Sequence, residues 1–412
     1  MTDVLLVAYH FPPIVSGGTE RAVSLAEHLP SHGYRPHILT TDAFGEADCG
    51  SVYRAGEIVG LYRRLFNSGA NTLPVAERSR QRTGFSMSPV ARSLGRLLIP
   101  DGQVGWLPTA YRCARHILNT HPVRLILTTG PPFSSHLLGF ALHRATHLPW
   151  IADFRDSWTY DPLDLGQSSS WWRAGIEAAM ERLVLDRATR VTAVTDVSAG
   201  ALRERGTDVR VSVVPNGYTS SLGDQDPRTD SDGTFRFVHT GSFSASHPER
   251  NPEALVEAAI EVGDASFEIV FVGYLTDDER AIVQPLVDSG RAVLTGAVSR
   301  EVAIAWQQKA DALVVVDHPR DVIASNIPGK VYEYGATGKP MLAVVPRGAT
   351  SELIRRMDAG LCVPHQPEAV AEAMRRLIDG DAGIEPDPGR WAPFERRKSV
   401  ERMAGVFREV LG

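Results

Sequence analysis

Short apolar runs alternate with helix-length segments along nearly the whole chain, and the alternation occurs twice. "VLLVAY" (Val4 to Tyr9) is followed by a loop, a helical stretch "ERAVSLAEHLPSHG" and the next run, "PHILTT". "RLILTTG", "PWIADF", "RVTAVT" and "VRVSVVP" continue the series. Runs of this length bounded by turn residues and separated by helices predict a parallel sheet covered on both faces. The polar stretch from Asn216 to Gly233 then intervenes and reads as a linker. Beyond it the pattern restarts with "FRFVHTG", "FEIVFVG", "AVLTGAV", "ADALVVV", "PMLAVV" and "GLCVP". The expectation is two doubly wound α/β domains, residues 1–220 and 221–394, facing each other across a cleft. A last helix, 395–412, follows a proline-rich break and is free to pack on either domain, a return to the first being the assignment adopted. In doubly wound sheets ligands bind outside the carboxyl ends of the strands, so site residues are sought there.

With 412 residues and a net charge of −6, the chain is large enough for two cores and has no global attraction to nucleic acid or anionic membranes. Cys49, Cys113 and Cys362 match no zinc or redox spacing and read as free thiols in a reducing cytoplasm. The first residues lack a basic n-region, and no segment approaches the ~18 apolar residues of a span. A soluble protein is expected, at most peripheral at the inner face of a membrane. One segment departs from the average. Between Arg54 and Leu98 there are eight arginines against Glu57 and Glu77, interleaved with apolar residues. A solvated helical insertion over about 54–99 and a basic docking surface for an anionic acceptor or membrane both fit.

Four places carry chemistry. After the first strand, Gly17 and Gly18 leave bare backbone ahead of a helix, where a diphosphate can approach, although a diglycine is also an everyday turn. The spacing is not that of a dinucleotide fingerprint, and "ATGKP" lacks the hydroxyl residue of a P-loop. In the second half, Gly241 and Ser242 occupy the corresponding loop. Arg250 is predicted to open the next helix, where a cation opposes the dipole unless an anion is bound or the side chain faces solvent. "PWIADFRDSW" crowds Asp153, Arg155 and Asp156 at a strand's carboxyl end, as a mutual salt bridge or as cleft residues. Asp161 and Asp164 follow without histidine or cysteine, so no metal site is expected.

The fourth place is "IPGKVYEYGATGKP". Pro328 suits the first helical position, making Ile327 the cap, a residue with no side-chain oxygen for the first-turn amides. The amides of Gly329 and Lys330 are then open to a phosphate, with Lys330 adding charge. Glu333 lies about 7.5 Å farther on, placed to accept two hydrogen bonds from a ribose diol. A Lys330–Glu333 salt bridge is the competing account.

Taken together, "FPP…GG", "DFRDSW", "VVPNGY", "TGSF" and "PGKVYEY…GKP" resemble glycosyltransferase family four, retaining nucleotide-sugar transferases of the GT-B fold, and in particular a sub-group with "DFRD-x-W". The resemblance implies a donor carrying UDP or GDP and no resident cofactor. It implies a small-molecule or lipid-linked acceptor and a place in natural-product or surface-polysaccharide synthesis. It implies diphosphate contacts at Gly17, Gly18 and Arg250, and backbone contacts to the base around Gly296 and Val298. Glu333 matches the second glutamate of the family's E-x7-E motif, the ribose ligand. The first glutamate, a donor-sugar contact, is replaced by Ser325, and Arg155 stands where many relatives have histidine, leaving Asp153, Arg155 and Asp156 as the catalytic candidates. A sugar-nucleotide 2-epimerase shares the two-domain fold, and an inactive partner-binding relative would tolerate Ser325. Asp224–Asp226 and Asp379–Asp381 match D-x-D but fall in a linker and a turn, so no metal is called for.

Overall fold

A computed structural model describes residues 1–14, 17–43, 45, 51–56, 98–161, 170–219, 233–244, 247, 249–263 and 265–412. The arginine-rich segment beyond Gly56, most of the linker, Cys49, Asp164 and Asp224–Asp226 lie outside them. The chain divides into two compact units. Among the described residues, the first comprises Met1–Asn216 with Arg396–Gly412, and the second Gly217–Glu395.

The first unit holds seven strands: β1 Thr2–Ala8, β2 Tyr34–Thr41, β3 Val52–Ala55, β4 Val123–Gly130, β5 Trp150–Phe154, β6 Arg190–Ala193 and β7 Val211–Val213. All pair parallel in the order β3-β2-β1-β4-β5-β6-β7. The continuous apolar runs follow from burial on both faces. Along β1, Leu5 and Val7 enter one core while Val4, Leu6 and Ala8 enter the other. Strand β3, "VYRA", takes Arg54 and Ala55 out of the expected insertion and into the sheet edge. Only Ala55 in it is fully buried, which is why its apolar signal is weak.

The helix Arg396–Leu411 covers one face of this sheet. Val400, Met403, Ala404, Val406 and Phe407 join Leu25, Tyr34 and Leu125 in one cluster, with Phe407 edge-on to Tyr34 at 5.0 Å. At about 1.5–3 kcal/mol for each large buried apolar side chain, this packing and an Arg396–Glu20 ion pair hold the terminus in the first unit.

The second unit repeats the pattern with β8 Phe235–Thr240, β9 Phe267–Val272, β10 Ala292–Gly296, β11 Ala312–Val316, β12 Met341–Val344 and β13 Gly360–Val363. Their order is β10-β9-β8-β11-β12-β13, again parallel. Alternate residues divide between two cores, Phe237, Val314 and Val344 on one face and Val238, Leu313 and Met341 on the other. In both units the chain runs outward in one direction from the first strand and then in the other. The switch points therefore lie between β1 and β4 and between β8 and β11, where such sheets bind ligands.

Candidate active site

At the switch point of the second unit, β8 ends because Thr240 is tied to side chains. Its amide donates to the Tyr334 hydroxyl at 2.9 Å, and its own hydroxyl accepts from Gln307 at 3.2 Å. Gly241 then turns the chain at φ +98°, a left-handed value that glycine adopts without strain. The Lys330 ammonium reaches into this turn, donating to Thr240 O at 2.7 Å and lying 3.4 Å from His239 Nε2. Because His239 Nδ1 faces the Val314 carbonyl at 3.0 Å, it carries the proton, and Nε2 offers its lone pair to the lysine. Burial and the nearby Lys330 charge hold His239 neutral, its pKa well below the ordinary value. Among the described residues, Thr240 O and His239 Nε2 are the hydrogen-bond partners of the Lys330 ammonium, which leaves its third proton for a ligand. Desolvation, reinforced by Arg250 and only partly offset by Glu333 and Asp317, pushes the lysine pKa down to about 7.

The helix carrying Lys330 is Gly329–Thr337, with Pro328 as its cap residue at φ −55°, ψ 137°. Pro328 is therefore not the first helical residue and Ile327 not the cap: an extended ψ at the proline delays the helix by one position. The consequence for the amides is unchanged, since no side chain caps this end. The competing Lys330–Glu333 pair does not form. Lys330 turns to Thr240, and Glu333 takes Arg300 at 2.5 Å. Arg300 is half exposed, so the pair is worth at most about 1 kcal/mol and a ribose diol can displace it.

Arg250 also differs from expectation. The following helix begins at Glu253, and the Arg250 guanidinium is buried against Asp317, immediately after β11, at 2.6 Å. Asp317 simultaneously accepts from Arg320 at 2.6 Å and from the His318 amide at 3.0 Å. Burial alone would raise this carboxyl; the His318 hydrogen bond and the two arginines bring it far below the usual range. One carboxylate thus positions two cations, and the set with Lys330 is net positive. Ser325 is fully buried next to Ala324, whose backbone bridges Gly348. Gly296 ends β10 at φ +70° and Val298 is exposed just beyond it. Ser242 follows Gly241 in the loop leaving β8.

In the first unit, Gly17 and Gly18 are the first residues of the helix Gly17–His28. A Cβ on Gly18 would stand 2.5 Å from Arg155 Nη1, so the missing side chain is what lets this guanidinium lie against the helix start. Arg155 is held there by Gly130 O at 3.2 Å and by Pro131 O. Asp153 is removed from the catalytic candidates. It is fully buried and accepts four hydrogen bonds: two from Arg21 at 2.7 and 2.8 Å, one from Thr192 at 2.6 Å and one from Thr129 at 2.8 Å. Burial pushes the carboxyl up, but the Arg21 charge and these bonds overcome it and leave it low. A carboxylate so occupied anchors three elements and has no lone pair for chemistry. Its ion-pair partner is Arg21, not Arg155. For Asp156, burial raises the pKa, Arg155 lowers it and Asp161 raises it again, with a net upward shift.

Sequence reasoning missed Arg21, His239, Thr240, Asp317 and Arg320. Asp317 was findable, as the first charged residue after the apolar run "ALVVV" at a carboxyl end. Arg21 had no local signal. Among the described residues, no group of three or more His, Cys, Asp or Glu is placed to hold a metal ion.

Residues 16–217 match the family model described as Glycosyl transferase 4-like domain, and residues 234–380 the model described as Glycosyl transferases group 1. No curated protein sequence matches the chain. Among solved structures, the chain is similar to sucrose-phosphate synthase from Thermosynechococcus elongatus (TM-score 0.70, 17% identity, 99% of each chain covered). It is also similar to Alr3699/HepE of Anabaena in complex with UDP and glucose (0.62, 15%, 99% of this chain and 100% of that one). UDP-GlcNAc 2-epimerase from Neisseria meningitidis, bound to UDP-GlcNAc, is a more distant likeness (0.53, 14%, 99% and 100%). At these identities the likenesses concern the fold, which is the same pair of Rossmann-like domains. With each half matched to a glycosyltransferase domain model, the chain belongs to the GT-B glycosyltransferase family.

Proposed function

We propose that the protein moves a hexosyl group from a UDP- or GDP-sugar to an acceptor hydroxyl, retaining the anomeric configuration and using no metal. The observation that carries this reading is the Lys330 ammonium beside the uncapped Gly329–Thr337 helix, with Glu333 a turn farther on. In this reading the diphosphate takes the helix amides, Lys330, Arg250 and the Gly241–Ser242 turn, while Glu333 exchanges Arg300 for the ribose diol. The base lies against the backbone around Gly296 and Val298, and Ser325 stands on the sugar side. The first unit has candidates of its own for a charged substrate: Gly17 and Gly18 at a helix start with Arg155 against Gly18, and Asp156 next in sequence.

In such chemistry the departing diphosphate takes the acceptor proton as the glycosidic bond breaks and the new C–O bond forms on the same face. The protein orients the two substrates and stabilises the charge that grows on the phosphate. Two arginines held by Asp317 and a lysine held by Thr240 are preorganised for that task. The structures of HepE with UDP and with UDP-glucose support a uridine nucleotide as the first donor to try. The acceptor is assigned to a small natural product or a lipid-linked saccharide.

Incubation with a panel of UDP- and GDP-sugars and candidate acceptors, read by mass spectrometry, tests the reading. A transferred sugar is expected; conversion of the nucleotide sugar to its epimer with nothing transferred identifies an epimerase instead, and tight binding without turnover an inactive relative. Glu333→Ala is expected to weaken UDP binding by about 10-fold or more. An unchanged Kd would remove Glu333 from the ribose site.

A further inference from the structure

The chain has four lysines, Lys309, Lys330, Lys339 and Lys398, and the surroundings of Lys330 suit an uncharged amine as well as an ammonium. A neutral amine has two N–H donors and one lone pair. The fold supplies two acceptors, Thr240 O at 2.7 Å and His239 Nε2 at 3.4 Å from Nζ. Both acceptors are held in place. Thr240 is fixed by its amide on the Tyr334 hydroxyl, and the His239 ring by Nδ1 on Val314 O and by stacking on Phe243 at 4.1 Å. With both N–H groups engaged, the lone pair takes the remaining tetrahedral direction, which the third proton occupies in the ammonium. Desolvation and the Arg250 charge favour the uncharged form near neutral pH, where an ordinary lysine is almost wholly protonated. A desolvated lysine next to another cation is an activated nucleophile.

The neighbours of the amine select its electrophile. Lys330 is the second residue of a helix whose start no side chain caps. Arg250 adds positive charge nearby, and its buried Nε has no hydrogen-bond partner among the described residues, which leaves a donor for an anion. An open helix start beside such a cation stabilises phosphate as a leaving group. Lys330 is half-buried and Gly329 exposed, so a small reagent reaches the amine. An acyl phosphate joins a carbonyl carbon to that leaving group. In the reaction the Nζ lone pair forms a bond to the acyl carbon. The C–O bond to phosphate breaks with its electron pair, and phosphate departs with the surplus proton of the amine. The amide product keeps one N–H, carries no charge and fills the direction in which the lone pair pointed.

We propose that Lys330 is a site of acylation by acyl phosphates and that its modification shuts the nucleotide site. The acylation rests on the surroundings of the lysine alone; its consequence rests on the assignment of Lys330 to the diphosphate. Incubation of the full chain with acetyl phosphate near neutral pH, followed over time by peptide mass spectrometry, tests the first part. Acetylation is expected to be ~10-fold or more faster at Lys330 than at Lys309, Lys339 or Lys398, because the larger neutral fraction outweighs the lower basicity. Excess inorganic phosphate is expected to slow Lys330 alone, by competing for the same donors. In urea the advantage is expected to vanish, since Thr240 and His239 no longer meet the amine. Equal rates at the four lysines of the folded protein overturn the proposal. So does an advantage that persists in urea, which would make it a property of local sequence, or one that inorganic phosphate leaves untouched. Protein acetylated at Lys330 is expected to bind UDP ~10-fold or more weakly, having lost a charged donor. Unchanged UDP affinity would uphold the acylation, overturn its consequence and remove Lys330 from the diphosphate.

Discussion

The position of Lys330 makes nucleotide affinity depend on pH in a defined direction. In the ligand-free protein its pKa is pushed down to about 7, first by desolvation and then by Arg250, with Glu333 and Asp317 pulling the other way. His239, which faces the ammonium, stays neutral and contributes no opposing titration. A diphosphate beside the ammonium favours the charged form, so the pKa in the complex is higher than in the free protein. Below pH 7 both forms are protonated and affinity is at its full value. Above 7 the free protein loses the proton and the complex retains it, so binding takes up a proton and the Kd rises towards tenfold per pH unit, or about 1.4 kcal/mol. The rise ends at the pKa of the complex. The ligand's terminal phosphate, with a pKa near ~6, is already ionised in that window and does not cancel the effect. Isothermal titration of UDP between pH 7 and 9, in buffers of different ionisation heat, measures both the Kd and the protons taken up. Lys330→Arg keeps its charge throughout, so its profile should be flat. Lys330→Met should be weaker at pH 7 and flat, so that its gap to the wild type narrows as pH rises. A wild-type Kd that does not change with pH, or a slope that survives in Lys330→Arg, would refute the assignment of Lys330 to the diphosphate.

Other outcomes follow from single contacts. Gly18→Ala places a methyl group 2.5 Å from Arg155 Nη1; the guanidinium must leave, and turnover should fall by about 10- to 100-fold while the melting temperature changes little. Arg21→Met leaves Asp153 buried without its counter-ion, and urea unfolding should show a loss of about 3–5 kcal/mol at neutral pH. The pH dependence also inverts. In the wild type the depressed Asp153 pKa contributes stability above the unfolded carboxylate value that is lost as acid protonates it. In the variant the carboxyl is raised by burial, so stability should improve as pH falls from 7 towards 5.

The two sheets were legible in the chain because a strand buried on both faces must be apolar at consecutive positions. Runs such as "VLLVA" and "ALVVV" have few other places in a protein of this composition. Strand β3 escaped notice because a four-residue, half-buried edge strand needs no such run. The open helix start at Gly329 and its distance to Glu333 were likewise local, set by helical rise and the lack of a capping side chain. Partnerships between charges were not. Asp153 meets Arg21 across 132 residues, Lys330 meets Thr240 across 90, and Arg250 meets Asp317 across 67. Sequence alone established which segments are buried and which strand ends carry charge. Only the tertiary structure separated Asp153, a saturated anchor, from Lys330, a partly desolvated cation with a proton to offer. Periodicity records burial along one segment, whereas a carboxylate's or ammonium's state depends on partners that folding brings from distant parts of the chain.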